Sequence, residues 1–317
     1  MSAKDQHELL PTAPHMYANV HSTEKNMRKR ETGFSLSTTS SDLRILIIST
    51  CSPGDLYFIR EVGARFNVCA ILRPVSAPAR KPNWKNFLKR PIKVLNGKIN
   101  QRFMAYQSHR KNAWVSRSLF GEAAPPLPEN MVDITTAAIN HPTTVEKTAD
   151  YAPDVILVSG GPVLAPEIFN IPRLACLNIH YGIAPNYRGE HALFWPLRVG
   201  DYQNIGITIH HIAEGIDTGR PLVRGFPQLN HSDTEQSISL KCVRMAPRLL
   251  IPILDAMVDT GSAPRLKPAG RANDGLFIRY QDRKLWHDLA YETRRHLGRT
   301  RPPVQPECIE KLYLEPS

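Results

Sequence analysis

Several features of common protein classes are missing from this chain of 317 residues. It has no run of about 18 apolar residues, so we expect no membrane span. The first 41 residues lack the apolar core of a secretory signal and carry acidic residues that transit peptides avoid. The five cysteines form no C-x-x-C pair, which argues against a disulfide framework or a zinc site and predicts reduced thiols in the cytoplasm.

The signatures of two large enzyme classes are also missing. No G-x-G-x-x-G follows the first apolar run, which disfavours a nicotinamide cofactor despite the pair Gly160-Gly161. No serine or cysteine lies in a G-x-S-x-G or comparable setting. We therefore expect direct attack by a substrate group and no covalent enzyme intermediate.

Acidic residues are missing from the segment 76–118, which holds eleven lysines and arginines, as many as the formal net charge of +11. One interpretation is a solvated basic insertion, and interleaved aromatic residues such as Trp84 and Trp114 make packing against a sheet plausible. The other interpretation is attraction of an anionic substrate, an acidic carrier protein or, less favoured, nucleic acid. Both stay open at this point.

Short β-branched runs alternate with helical stretches along the chain. The pattern predicts strands at 43–49, 67–72, 154–159, 175–180 and 206–212, and helices at 56–66, 144–151 and 234–260. This alternation is typical of an α/β fold with a doubly wound parallel sheet and ligands at the carboxyl ends of its strands. We divide the chain into a flexible tail (1–41), a catalytic domain (42–230, with 76–118 as its basic insertion) and a C-terminal helix with a small extension (231–317). A homodimer stays open.

Three polar residues stand at the ends of these runs. Asn178 and His180 are two apart, so on a strand their side chains leave from one face and Ile179 points to the opposite layer. Asp217 follows in Gly-Ile-Asp-Thr-Gly. Imidazole accepts protons near neutral pH, a carboxylate raises its basicity, and a carboxamide can support an oxyanion, which together suit acyl transfer. Considered alone, His180 is more typical of a core histidine, and Asp217 is more typical of a turn residue.

The strings NIHYGIAPNYRG and TIHHIAEGIDTGRPL resemble the formyltransferase family that uses 10-formyltetrahydrofolate, including glycinamide ribonucleotide, methionyl-tRNA and sugar N-formyltransferases. The resemblance implies a Rossmann-like formyltransferase fold, 10-formyltetrahydrofolate as co-substrate and no metal. It implies a general base at His180, orientation and proton relay by Asp217, and oxyanion support by Asn178. His210 and His211 read as alternating strand residues that the chemistry does not need.

The same resemblance implies a folate site on two loops. The segment 158–166 looks like the family's folate loop, and the implied folate-binding residues are Pro162, Val163, Leu164, Ile212, Ala213, Glu214 and Ile216. The chain departs from the family at Gly182, where a serine is usual, and at Ile183-Ala184-Pro185, where Leu-Leu-Pro is usual.

The acceptor side is assigned from the residues alone. Ser52 and Gly54 precede a helix whose amides could hold an anion. Tyr187 and Arg188 either close a loop or face the substrate, and the sequence does not decide between these roles.

The function that these residues favour is transfer of a formyl group to the amine of a small biosynthetic substrate, anionic in character, such as an amino sugar nucleotide or an amino-acid derivative. Acceptor tRNA is disfavoured, because residues 262–317 are fewer than the additional domain that the resemblance implies for tRNA-acting members. Two alternatives remain: a formyltetrahydrofolate hydrolase, and a non-catalytic folate- or nucleotide-binding protein.

Overall fold

A computed structural model describes residues 41–75, 91–121, 123–128, 131–268 and 275–314. The expected flexible tail lies outside the described residues except for Ser41, and so do residues 76–90 of the basic segment. The strands are β1 Ser41–Ser49, β2 Phe66–Pro74, β3 Asp133–Thr136, β4 Val155–Ser159, β5 Ala175–His180, β6 Tyr187–Gly189, β7 Ile207–His211, β8 Pro221–Phe226, β9 Leu276–Ile278 and β10 Cys308–Lys311. The helices are α1 Pro53–Gly63, α2 Pro91–Phe120, α3 Pro142–Asp150, α4 Pro166–Phe169, α5 Phe194–Val199, α6 Glu235–Thr260 and α7 Leu285–His296.

Eight strands form the main sheet in the order β10-β8-β7-β5-β4-β1-β2-β3. The five strands from β3 to β5 pair in parallel, which confirms the expected α/β class. The sheet is mostly parallel, and at one edge β7, β8 and β10 pair antiparallel. The short link between β7 and β8 suits a hairpin and leaves no room for a crossover helix, which makes this pair antiparallel.

Two apolar layers enclose the sheet. Ile45 and Ile47 of β1 pack with α1 and α6 on one face, whereas Leu46 and Ile48 pack on the other face near α4. Strand β5 follows the same alternation, since Ile179 lies in the first layer. The segment 231–317 contributes α6 to this core and β10 to the sheet edge.

Helix α2 was not foreseen in the basic segment. It has 30 residues and lies beside α1 and α6. Asn100 fixes the start of α7, because its Oδ1 accepts from the Leu285 N–H (2.8 Å) and its Nδ2 donates to the Arg283 carbonyl (3.2 Å). Arg244 of α6 donates to the Ser118 carbonyl at 3.0 Å. The described part of the basic segment is therefore a packed helix. No helix within the described ranges is both long and apolar enough to cross a membrane.

Candidate active site

A cleft of about 350 Å³ opens where β4 and β5 end, within the usual size range of small-molecule sites. Four stretches line it: residues 160–164 after β4, residues 178–181 of β5 and beyond, residues 189–193 after β6, and residues 212–218 between β7 and β8 except 214. Lys111 of α2 and Glu235 of α6 reach it from the helices, and His210 reaches it from β7.

The three polar groups singled out from the sequence meet in this cleft. Asn178 Nδ2 donates to Asp217 Oδ1 at 3.0 Å, and His180 Nδ1 lies 3.3 Å from Asp217 Oδ2. Asn178 and His180 come from one face of β5, while the loop after β7 folds back to bring Asp217 to them. The sequence spacing placed two of the groups together, and the loop supplies the third.

The tautomer of His180 is set by a backbone carbonyl. Its Nε2 lies 2.9 Å from the Tyr187 oxygen, which can only accept, so Nε2 carries the proton. In the neutral ring the basic lone pair is then on Nδ1, facing Asp217. Burial lowers the pKa of His180, and the opposing charge of Asp217 does not cancel that effect. The ring is therefore neutral near pH 7, with its basic nitrogen beside a carboxylate that stabilises it after protonation.

His210 is a part of the site that sequence reasoning set aside. It is the antiparallel register partner of Asn178, so both side chains leave from the same face. His210 Nδ1 donates to the His211 carbonyl at 2.7 Å, and its Nε2 accepts from Asn178 Nδ2 at 3.1 Å. Both amide hydrogens of Asn178 are thus used in hydrogen bonds, one to Asp217 and one to His210. Support of a substrate oxygen by Asn178 requires exchange of one of these hydrogen bonds.

Asp217 is held in an unusual backbone conformation. Its φ of 50° lies in the left-handed region, which aspartate tolerates better than most residues. Its Oδ2 accepts from the Gly189 N–H at 2.7 Å. Burial alone raises the pKa of the Asp217 carboxyl, but His210, His180 and the Gly189 N–H together lower it to about 2. The following loop is tight, since a Cβ at Gly219 would overlap the His211 carbonyl.

Apolar side chains form another part of the cleft. Val163 and Ile216, on two different loops, expose 54% and 37% of their surface although both are large hydrophobic residues. Exposed apolar surface inside a cleft is typical of a ligand contact. Of the implied folate residues, six line the cleft: Pro162, Val163, Leu164, Ile212, Ala213 and Ile216. Glu214 is not among the lining residues.

Asn140, which is outside the cleft lining, fixes the loop that carries Val163. Asn140 Nδ2 donates to the Val163 carbonyl at 2.9 Å, and its Oδ1 accepts from the Ala165 N–H at 2.8 Å. The two bonds hold the backbone on both sides of Leu164. No pattern in the sequence linked Asn140 to this loop.

The departure from the family at Gly182 has a local cause. A Cβ built there would lie 2.5 Å from both His180 Nε2 and the Ala192 side chain. The chain packs so closely around His180 that only glycine fits without movement.

The four expected acceptor residues lie elsewhere. Ser52 caps α1, and its N–H is already bound by Asp55 Oδ2 at 3.0 Å, so a carboxylate occupies the place foreseen for an anion. Gly54 is buried beneath that cap. Neither residue is in the cleft lining.

The side chains of Tyr187 and Arg188 form hydrogen bonds with other segments of the protein. The Tyr187 hydroxyl donates to Asp201 at 2.9 Å, and only its carbonyl serves the site, through His180. Arg188 donates to the Gly275 carbonyl at 3.5 Å and lies outside the cleft lining. The loop-closing role is therefore the one that the geometry favours for both residues.

Over the described ranges, no three His, Cys, Asp or Glu residues are grouped to hold a metal ion.

The sequence was also compared with those of known proteins and protein families. The family model described as "Formyl transferase" matches residues 106–254. Methionyl-tRNA formyltransferase of Legionella pneumophila (strain Corby) is 28% identical over 173 residues, 54% of this chain and 55% of that protein. The enzyme of the same name from Pelotomaculum thermopropionicum is 32% identical over 120 residues, 38% of each chain. The chain thus matches about half the length of the first of these relatives.

Solved structures were compared as well. A sugar N-formyltransferase from Shewanella sp FDAARGOS_354 is 15% identical with a TM-score of 0.48, covering 80% of this chain and 87% of that chain. A likeness at this level says nothing about the substrate. The family-model match contains Asn178, His180 and Asp217, the residues that meet in the cleft, together with the two loops that carry Val163 and Ile216. By this match and its relatives, residues 106–254 are similar to the formyltransferase family.

Proposed function

We propose that the protein is an N-formyltransferase that moves a formyl group from 10-formyltetrahydrofolate to an amine. The observation that carries the proposal is the convergence of Asn178, His180 and Asp217 in the cleft that also holds the exposed side chains of Val163 and Ile216. A binding protein would not need a neutral, buried imidazole backed by a carboxylate.

The folate fits the residues that are present. Val163 and Ile216 offer exposed apolar surface to a flat ring, and the cleft volume suits the pterin end of the molecule. When bound, the folate supplies the formyl group. Asn140 holds the 163–165 backbone in place, so this wall of the cleft is formed before binding.

His180 is the proposed base. As the amine nitrogen bonds to the formyl carbon, the proton that the nitrogen must lose passes by way of the Asp217 carboxylate to Nδ1 of His180. Asp217, 3.3 Å away, stabilises the resulting imidazolium. The proton returns by the same relay to N10 of the folate as the bond between the formyl carbon and N10 breaks. The Tyr187 carbonyl holds Nε2 throughout, so the ring need not turn.

Asn178 is the proposed donor to the formyl oxygen. It exchanges its hydrogen bond to His210 for one to the substrate and keeps the bond to Asp217, which fixes its orientation. A preorganised donor of this kind lowers the barrier by stabilising charge that develops on oxygen.

The test is release of tetrahydrofolate by purified protein supplied with 10-formyltetrahydrofolate, with and without added amines. We expect release that depends on the amine and falls about 100- to 10,000-fold in His180→Ala, the usual contribution of a positioned base. His296→Ala, at an exposed histidine of α7, is the matched control and should match wild type. Amine-independent release would identify a hydrolase, and binding of folate without release would identify a binding protein.

We propose a small-molecule amine as acceptor. The relatives named methionyl-tRNA formyltransferase do not support the exclusion of tRNA that the sequence favoured. Methionyl-tRNA therefore belongs in the same assay as a second acceptor, and faster formylation of it than of any small amine would overturn this part of the proposal.

A further inference from the structure

We propose that strand β9 aligns the catalytic residues by holding strand β6 in place, and that Ile278 is the positioning residue of this contact. The inference rests on the proposed function. It gives a role in catalysis to a segment of the chain beyond residue 254, where the family-model match ends. It concerns the alignment of His180 with Asp217 and not the identity of the acceptor.

Strand β6 contacts both residues through its backbone. The Tyr187 carbonyl accepts from His180 Nε2 at 2.9 Å, and the Gly189 N–H donates to Asp217 Oδ2 at 2.7 Å. Tyr187 and Gly189 are two apart, so their backbone groups leave the strand on the same edge. A displacement of β6 would lengthen both hydrogen bonds together. The alignment of the imidazole with the carboxylate therefore depends on where this strand lies.

The opposite edge of β6 is bound to β9. The Leu276 N–H donates to the Asn186 carbonyl at 2.8 Å, and the Glu190 N–H donates to the Ile278 carbonyl at 2.9 Å, so each end of β6 is fixed. The two strands pair in parallel, and a Cβ at Gly189 would overlap the Ile278 carbonyl. In the part of the chain that the structure describes, β6 pairs with β9 alone. Two such short strands are marginally stable by themselves, so they need side-chain packing.

Ile278 supplies that packing. Its side chain is 3% exposed and forms a small apolar cluster with Tyr187 and Ala192, against which Trp195 packs. Tyr187 is thus held on two sides, by Ile278 through its side chain and by His180 through its carbonyl. Truncation of Ile278 leaves a cavity beside the residue that fixes the tautomer of the catalytic base.

The segment that follows β9 is anchored to the core. The buried Arg283 places its guanidinium 3.6 Å from the centre of the Phe194 ring. It donates to both Glu235 oxygens at 2.9 and 2.8 Å and to Asp288 Oδ1 at 2.6 Å. Glu235 is the first residue of α6, which packs in the core, and breaking a buried pair of this kind is costly. Strand β9 is therefore a fixed support for β6.

Ile278→Ala is the test. Strands β6 and β9 form a sheet separate from the main one, so the main sheet should persist in this variant. In the tetrahydrofolate-release assay, we expect kcat to fall about 10- to 100-fold, because misplacement of reacting groups by about 1 Å can cost a factor of 100. The KM for 10-formyltetrahydrofolate should not change, since Val163 and Ile216 are untouched.

Two matched variants accompany it. Ile278→Val keeps most of the buried side chain and should recover most of the lost kcat. Ile309→Ala removes the same atoms from a 43% exposed position of strand β10 and should behave like wild type. Gly275→Ala, whose methyl group would overlap the Pro185 carbonyl just before β9, disturbs the same contact by a second route and should lower kcat as Ile278→Ala does.

The tautomer of His180 separates positioning from a loss of folded protein. In long-range proton–nitrogen NMR spectra, the His180 signals are identified by their absence in His180→Ala. Wild type should show a neutral ring protonated on Nε2. Ile278→Ala and Gly275→Ala should show a mixture of the two neutral forms, because the hydrogen bond that selects the protonated nitrogen is weakened. Ile278→Val and Ile309→Ala should show the wild-type ring.

The outcomes distinguish this inference from the proposed function. The wild-type tautomer in folded Ile278→Ala and Gly275→Ala, or a rise in KM with unchanged kcat, would overturn the role of β9 while the proposed function stands. A wild-type protein that formylates neither small amines nor methionyl-tRNA would overturn the proposed function. The tautomer measurement needs no substrate, so it would still decide whether β9 positions His180.

Discussion

Asp217→Asn is the substitution with the most closely defined consequences. Asp217 accepts from the Gly189 N–H and from Asn178 Nδ2, and lies beside the rings of His180 and His210. An asparagine amide would turn its N–H group toward one of these donors. The change keeps the size of the side chain and removes its charge.

The magnitude follows from the pKa of Asp217, which falls from 3.8 to about 2 in the folded protein. A shift of this size stabilises the native state by about 2 kcal/mol once the carboxyl is ionised in both states. The folded-state pKa is depressed, so this stabilisation is present above the unfolded pKa of 3.8 and is lost as the pH falls toward 2. About 1 kcal/mol should be lost by pH 3.

The assay is urea unfolding of wild type and Asp217→Asn at pH 5, 4 and 3. The difference in unfolding free energy between them should shrink by about 1 kcal/mol from pH 5 to pH 3. Asp259→Asn, at an exposed position of α6, is the control and should show no such change. In the release assay at pH 7, Asp217→Asn should lower kcat/KM about 100-fold or more. A pH-independent difference in stability, together with near-normal turnover, would refute the reasoning.

Three further substitutions test neighbouring parts of the site. Asn140→Ala removes two hydrogen bonds to the 163–165 backbone, each contributing about 1 kcal/mol, so the KM for 10-formyltetrahydrofolate should rise about tenfold or more while the KM for the amine stays the same in steady-state kinetics. Gly182→Ala places a methyl group 2.5 Å from His180 Nε2, and we expect kcat to fall at least about tenfold and the urea midpoint to drop, as in other overpacked sites. Asn178→Asp sets a second carboxylate 3.0 Å from Asp217, so turnover should fall about 100-fold at pH 7 and the loss should lessen at lower pH, where one carboxyl is protonated. Equal losses at all pH values would contradict the last expectation.

The sequence predicted those parts of the fold that depend on local patterns. Strand β5 has the predicted bounds, and the period of two along it placed Asn178 and His180 on one face. Helix α1 begins at Pro53, earlier than predicted, because Ser52 and Asp55 form a capping box that the apolar pattern does not reveal. The same box explains why the helix start does not serve as an anion site.

The residues that sequence reasoning missed depend on pairing between distant segments. His210 enters the site through its antiparallel register with Asn178, and the sequence pattern predicts the strand without fixing its neighbour or its register. Asn140 acts through a loop some distance along the chain, and Lys111 lies on a helix whose residues show no clear apolar period. No local signal in the sequence points to His210, Asn140 or Lys111.

A crystal structure with a folate analogue whose formyl group cannot be transferred would test most directly whether the three polar groups act on one carbonyl. We expect the formyl oxygen at about 3 Å from Asn178 Nδ2, the formyl carbon beside His180 and Asp217, and the ring against Val163 and Ile216. A ring bound outside this cleft, or a formyl group beyond hydrogen-bond reach of Asn178 with His180 turned away from it, would contradict the mechanism.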